Sequence, residues 1–172
     1  MPEAAIEAPA GAVQRVFDRI AALAIATSAA ALLGLVVVQG WQVFTRYVLN
    51  DSPSWTEPVT LLLLSTAMSL GAAAGVHTNR HFGFYLLADH THASLRRALD
   101  IGRPLLIAAV GAVVAWWAGL LLLDGLDIKI AGASMPQSIN YLPLSLGGAL
   151  ITLFALFKAW QAVRPSRAEG VS

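Results

Sequence analysis

Residues 20–45 read IAALAIATSAAALLGLVVVQGWQVFT, 26 residues without one ionisable side chain. A bilayer's hydrocarbon core is about 30 Å thick, and a helix of roughly 20 apolar residues crosses it. This stretch is therefore read as a transmembrane helix, and three others match it. Residues 58–76 read PVTLLLLSTAMSLGAAAGV, residues 104–123 read PLLIAAVGAVVAWWAGLLLL, and residues 139–157 read INYLPLSLGGALITLFALF. The chain is expected to be an all-α integral membrane protein of one domain over residues 1–172. Its four spans are placed at about 18–42, 58–78, 104–124 and 138–160. Pro58 and Pro104 stand where a first helical turn tolerates a missing N–H.

Composition agrees. The 172 residues are 57% hydrophobic and 12% charged, with a mean hydropathy of +0.67. Soluble domains run nearer about 25% charged, and a chain of this length cannot bury so much apolar side chain in one core. The same hydrophobicity excludes disorder, and a net charge of +1 offers no nucleic-acid footprint. With no cysteine there is no disulfide, thiolate metal site or cysteine nucleophile.

Lys and Arg set the orientation. Arg15, Arg19, Arg80, Arg96, Arg97, Arg103, Lys158, Arg164 and Arg167 fall on one side of a four-span layout, and only Arg46 and Lys129 on the other. Both termini and the middle loop are thus expected in the cytoplasm. The uncharged length of the first span exceeds the 7–15-residue core of a signal peptide, so it reads as an uncleaved anchor. Trp41, Phe44, Tyr47, Trp55, Tyr141 and Trp160 frame the spans as an interfacial belt. Of Trp116 and Trp117, about 100° apart on a helix, at most one is expected to face into the bundle.

In the middle loop, residues 81–103, Phe82, Phe84, Leu86 and Leu87 precede Leu95 and Leu99, interleaved with Arg96, Arg97 and Arg103. That is the composition of an amphipathic segment in the membrane interface, with arginines, Arg80 included, toward anionic lipid. A solvated basic loop is the competing reading. Small residues recur every four positions at Ala22, Ala26, Ala30 and Gly34, at Ala67, Gly71 and Gly75, and at Gly111, Ala115 and Gly119. Such ridges let helix backbones approach closely, against internal neighbours or a second protein.

No Asp, Glu, Lys, Arg or His lies within the four apolar cores. Ion- and proton-coupled pathways mark themselves with such residues, and secondary transporters with paired broken helices. Here Gly147-Gly148 after Pro143 has no counterpart in the first half. Ser65, Thr66, Ser69, Thr27, Gln39 and Gln42 read as interhelical hydrogen-bonders, so the chain is not expected to carry a solute by itself. The histidines, His77, His81, His90 and His92, share one window. His77 and His81 are spaced like helical metal or haem ligands, but no other span supplies a histidine at similar depth. Interfacial polar residues are the plainer reading.

The run WQVFTRYVLNDSPSWTEPVTLLLLSTAMSLGAAAGVHTNRHFGF, residues 41–84, resembles the small permease subunit of TRAP transporters, the DctQ family. The resemblance rests on Arg46-Tyr47 closing the first helix and Trp55-Thr56-Glu57 opening the second. Gly71 in a small-residue helix and His81-Phe82 extend it. A second block, MPQSINYLPLSLGGALITLFAL, matches at Tyr141 and Pro143. Pro58 and Tyr85 stand where the family often has acids. The resemblance implies a subunit of a tripartite, Na⁺-coupled importer of an organic anion, such as a C4-dicarboxylate, another carboxylate or sialic acid, in a bacterial inner membrane. Its partners would be a large DctM-like permease, which holds the Na⁺ and substrate sites, and a periplasmic DctP-like binding protein. The chain itself would bind no cofactor, carry out no enzymatic step and act as a scaffold beside membrane lipids.

On that reading Arg46, Tyr47, Trp55, Glu57, Gly71, Gly75, His81, Tyr141 and Pro143 are candidates for the subunit interface. Arg80, Arg96, Arg97, Trp41 and Trp160 are candidates for the lipid interface. Arg46 and Glu57 either pair across the first loop or are separately solvated. The alternatives are a haem-bearing membrane anchor of a respiratory oxidoreductase and a small multidrug exporter; the second needs a membrane-embedded acid that is missing here.

Overall fold

In lipid every backbone N–H and C=O must be satisfied within its own segment, so long apolar runs become helices whatever their local propensity. The computed structural model describes residues 11–78, 93–130 and 135–163, without the side chains of residue 12 and of 93–98. Within them four helices are long and apolar enough to cross a membrane. Helix α1 runs Ala12–Tyr47, 36 residues and about 54 Å, well beyond the hydrocarbon core. Its end is fixed by Val48 N–H donating to the Phe44 carbonyl at 2.8 Å and Asp51 N–H to that of Thr45 at 3.0 Å. Between them Asn50 takes φ 52°, a left-handed conformation asparagine tolerates better than most residues.

Helix α2, Thr56–His77, starts on the wholly buried Thr56, whose hydroxyl donates to the Pro53 carbonyl at 2.8 Å. Pro58 lies in the first turn, as expected. Helix α3 runs Ala93–Asp124 with Pro104 inside it. This corrects the expected start at Pro104 and turns residues 93–103 of the middle loop into a helix continuous with the span. The residues ahead of the proline, ASLRRALDIGR, are mostly good helix formers, and a membrane helix absorbs the lost N–H. Residues 81–92 of that loop lie outside the described residues. A short 3-10 helix, Gln137–Asn140, leads into helix α4, Leu142–Val163.

The main packing runs α1 on α2, α2 on α4 and α4 on α3, so α1 and α3 form the flanks. Two adjacent glycines make the centre possible. A Cβ on Gly147 would stand 2.5 Å from Ser69 Cβ on α2, and one on Gly148 would stand 2.7 Å from the Ala115 nitrogen on α3. Neighbouring residues point about 100° apart, so this pair lets α4 meet both neighbours backbone to backbone. Gly111 completes the α3–α4 seam, since its Cβ would lie 3.0 Å from the Gly148 carbonyl oxygen.

At the end of the bundle that carries both termini, a core of Ala21, Ala73, Val76, Ala108, Phe154 and Ala155 gathers residues from all four helices. Phe17 stacks on Phe157 with ring centroids 4.4 Å apart, and Gln161 donates to Gln14 at 2.9 Å. The start of α1 and the end of α4 therefore share one side, as an even number of spans requires.

Candidate functional site

Polar side chains along the spans divide into those used internally and those left facing outward. Ser28 donates to the Ala67 carbonyl at 2.8 Å across α1–α2. Ser69 lies 2.8 Å from the Pro143 carbonyl oxygen across α2–α4 and 2.7 Å from that of Ser65 on its own helix. Thr152 reaches the Ala108 carbonyl at 3.4 Å across α3–α4. Of the residues expected to bond between helices, Ser69 does so and Thr66 bonds to its own helix at Leu62. Gln39 and Gln42 line an outward cleft instead. Ser28, which no pattern singled out, joins two helices because α1 turns that face toward α2.

The second cluster sits at the terminus-bearing end. His77 Nε2 lies 2.7 Å from Asp18 Oδ1, which also accepts from Gln14 Nε2 at 3.0 Å. The His77 ring packs on Phe154 with centroids 4.9 Å apart. This histidine is thus occupied by packing and by an acid 59 residues away in sequence. His81, His90 and His92 lie outside the described residues. Among the described residues no group of three or more His, Cys, Asp or Glu could hold a metal ion. Lys158 caps the end of α2 by donating to the Val76 carbonyl.

At the opposite end, Arg46 near the end of α1 and Glu57 near the start of α2 line one cleft of about 500 Å³ with Gln39, Gln42, Tyr47 and Thr60. The structure brings the two charges to the same place, but no ion pair joins them; the ion pair found among the described residues is His77–Asp18. Of the two readings left open for Arg46 and Glu57, the structure shows the unpaired one. Tyr47 is 79% exposed, and Trp41, Trp55 and Trp160 are about half exposed, as side chains at a membrane interface would be.

Gly71 lies on the inward side of α2, where a Cβ would come 3.0 Å from Ser28 Oγ, and Gly75 is half-buried. Pro143 is buried, and the Tyr141 hydroxyl accepts from Gln137 Nε2 at 3.3 Å. Of the candidate interface residues, Gly71 and Pro143 thus serve the chain's own packing. His81 and Arg80 lie outside the described residues, and of Arg96 and Arg97 only the helical backbone is described. Trp116 and Trp117 both face outward, 68% and 61% exposed.

Ala67, Gly71 and Gly111 turn inward, whereas Ala22, Ala26 and Ala30 on α1 are exposed. The bundle thus closes its own seams with glycine and serine while keeping a small-residue face, a charged cleft and two tryptophans on the outside. Residues 35–165 match the profile of the DctQ component of tripartite ATP-independent periplasmic transporters.

The chain belongs to the DctQ family. It is also similar to the sialic acid TRAP transporter small permease protein SiaQ of Vibrio cholerae, 25% identical over 84 residues. That match covers 48% of this chain and 49% of the relative, about half the length of each. As a DctQ protein with four candidate spans, the chain is a multi-pass membrane protein of a transporter family, not an enzyme family. DctQ subunits work with a large permease and a substrate-binding protein. Family membership gives the haem-anchor reading no support.

Proposed function

We propose that this DctQ chain is the membrane scaffold of a Na⁺-coupled TRAP importer for an organic anion: a C4-dicarboxylate, another carboxylate, or sialic acid as in the name of its Vibrio relative. The observation that carries this reading is the closure of the central seams. Backbones approach closely at Gly147, Gly148 and Gly111, and interhelical hydroxyls donate to carbonyls, so the α2–α4–α3 centre of the described residues is tightly packed. Substrate and Na⁺ would be held by the DctM-like large permease, and substrate delivered by a DctP-like periplasmic protein. The exposed Ala22, Ala26 and Ala30 face of α1 is the surface offered to the large subunit, because small side chains let a partner helix approach its backbone. The nine-to-two division of Lys and Arg supports an inner-membrane orientation with both termini cytoplasmic, and the Arg46–Glu57 cleft at the periplasmic surface.

Coexpression with the large permease from the same operon tests this. The tagged chain should copurify the permease in a fixed ratio, and with the periplasmic binding protein supplied, uptake of the organic anion into proteoliposomes should need both subunits and a Na⁺ gradient. A large permease that transports at its full rate without this chain overturns the proposal.

A further inference from the structure

We propose that the Arg46–Glu57 cleft binds the headgroup of a zwitterionic aminophospholipid from the surrounding bilayer. Two opposite charges line one cleft of about 500 Å³ without forming an ion pair within 4.0 Å. That volume lies in the range of ligand-sized pockets. Thr60 also lines this cleft, and its Oγ1 is shielded from solvent with no hydrogen-bond partner. A buried hydroxyl without a partner is costly.

The order of the groups along α1 fits a phospholipid and no simple ion. Arg46 stands in the last turn of the helix, at the depth that exposed Trp41 and Trp55 mark as interfacial. Its guanidinium suits a phosphate through paired N–H donors. Glu57, in the first turn of α2, suits the ammonium on the far side of that phosphate. Gln42 and Gln39 lie about 6 and 10 Å deeper along the axis, where side-chain amides can donate to ester carbonyls. Val43 and Leu61 line the cleft too and, both more than half exposed, offer an apolar track for an acyl chain. An anionic lipid would satisfy Arg46 and be repelled by Glu57; a simple cation would do the reverse. A primary ammonium keeps N–H donors for the carboxylate, and a trimethylated one has none.

This inference does not depend on the transport reading. The full chain is reconstituted with equimolar phosphatidylethanolamine, phosphatidylcholine and phosphatidylglycerol, extracted gently, and its retained lipid identified by native mass spectrometry. The wild type should retain phosphatidylethanolamine about tenfold over phosphatidylcholine, the size expected for one charge-assisted hydrogen bond. Glu57→Gln should keep lipid but lose that preference, and Arg46→Gln should lose all three lipids by about tenfold. Helical circular dichroism checks that each variant folds; should Arg46→Gln fail, the wild type and Glu57→Gln decide the matter. Equal retention of the three lipids by the wild type, retention unchanged in Glu57→Gln, or a preference for phosphatidylglycerol overturns the proposal. So does a photocrosslinker at position 46 that captures only protein while no lipid is retained.

Discussion

The small-residue ridge on α1 and the glycine seam of α4 share a sequence logic and have opposite fates. On α4, Gly147 and Gly148 leave no room for a single added carbon, with backbone atoms of α2 and α3 within 3.0 Å of where each Cβ would stand. On α1, Ala22, Ala26 and Ala30 face outward, and the helix instead meets α2 through Ala24, Ser28 and Ala31, all buried. Spacing at four residues therefore marks where a helix can be approached, not by what. In lipid, where no hydrophobic effect drives helices together, packing and hydrogen bonds decide. Ser28 has a carbonyl to reach; of the α1 ridge, Gly34 meets Leu63 of α2, while Ala22, Ala26 and Ala30 are exposed among the described residues.

The sharpest way to break this contrast is to add a methyl group on the seam. Gly148→Ala places carbon 2.7 Å from the Ala115 nitrogen, and a backbone atom cannot swing aside, so α3 and α4 must separate. Overpacking of this kind costs about 1–3 kcal/mol, and the backbone contact puts this site at the upper end. Gly147→Ala, against Ser69 Cβ at 2.5 Å, should cost nearly as much. Thermal unfolding in detergent, followed by helical circular dichroism, measures both. A variant as stable as the wild type would show that the seam is not closed.

Gly71→Ala should be milder. Its Cβ would meet chiefly the Ser28 hydroxyl at 3.0 Å, a side-chain end able to rotate away, at the expense of its bond to the Ala67 carbonyl. One lost neutral hydrogen bond is worth about 1 kcal/mol. The double variant Ser28→Ala, Gly71→Ala should then cost less than the sum of the two single changes, because sites in contact do not add. Strict additivity in the same unfolding measurement would show that the two residues do not touch.

The spans were legible from composition because lipid allows an uncharged run of such length little choice but a helix. Their ends were less so. Arg96, Arg97 and Asp100 interrupt hydropathy, and Pro104 looks like a helix start, yet neither charge nor an absorbed proline stops a helix that runs on into polar surroundings. The centre of the bundle was visible only as an irregularity. Gly147-Gly148 is conspicuous in the sequence, but its role depends on α4 lying between two helices, which no local pattern states. The His77–Asp18 contact joins residues 59 positions apart and follows from how the helices meet. Arg46 and Glu57 could be placed at one membrane surface from their flanking aromatics; that they share a cleft without pairing depends on how the end of α1 meets the start of α2.

The smallest expected effect on the chain alone is the most informative about its role. Ala26→Leu and Ala30→Leu enlarge side chains that already face outward, so they leave α1–α2 packing untouched. Unfolding of the isolated subunit should shift by no more than about 0.5 kcal/mol, the usual scale for surface changes. On the surface offered to the large permease the same leucines would hold the partner helix away from the α1 backbone, and copurification with that subunit should fall. Ala30 and Arg46 lie about 160° apart around α1, so lipid retention at the Arg46–Glu57 cleft should not change. If these variants assemble like the wild type, the ridge faces only lipid, and the partner's contact must be sought on the other flank, at Trp116 and Trp117 of α3.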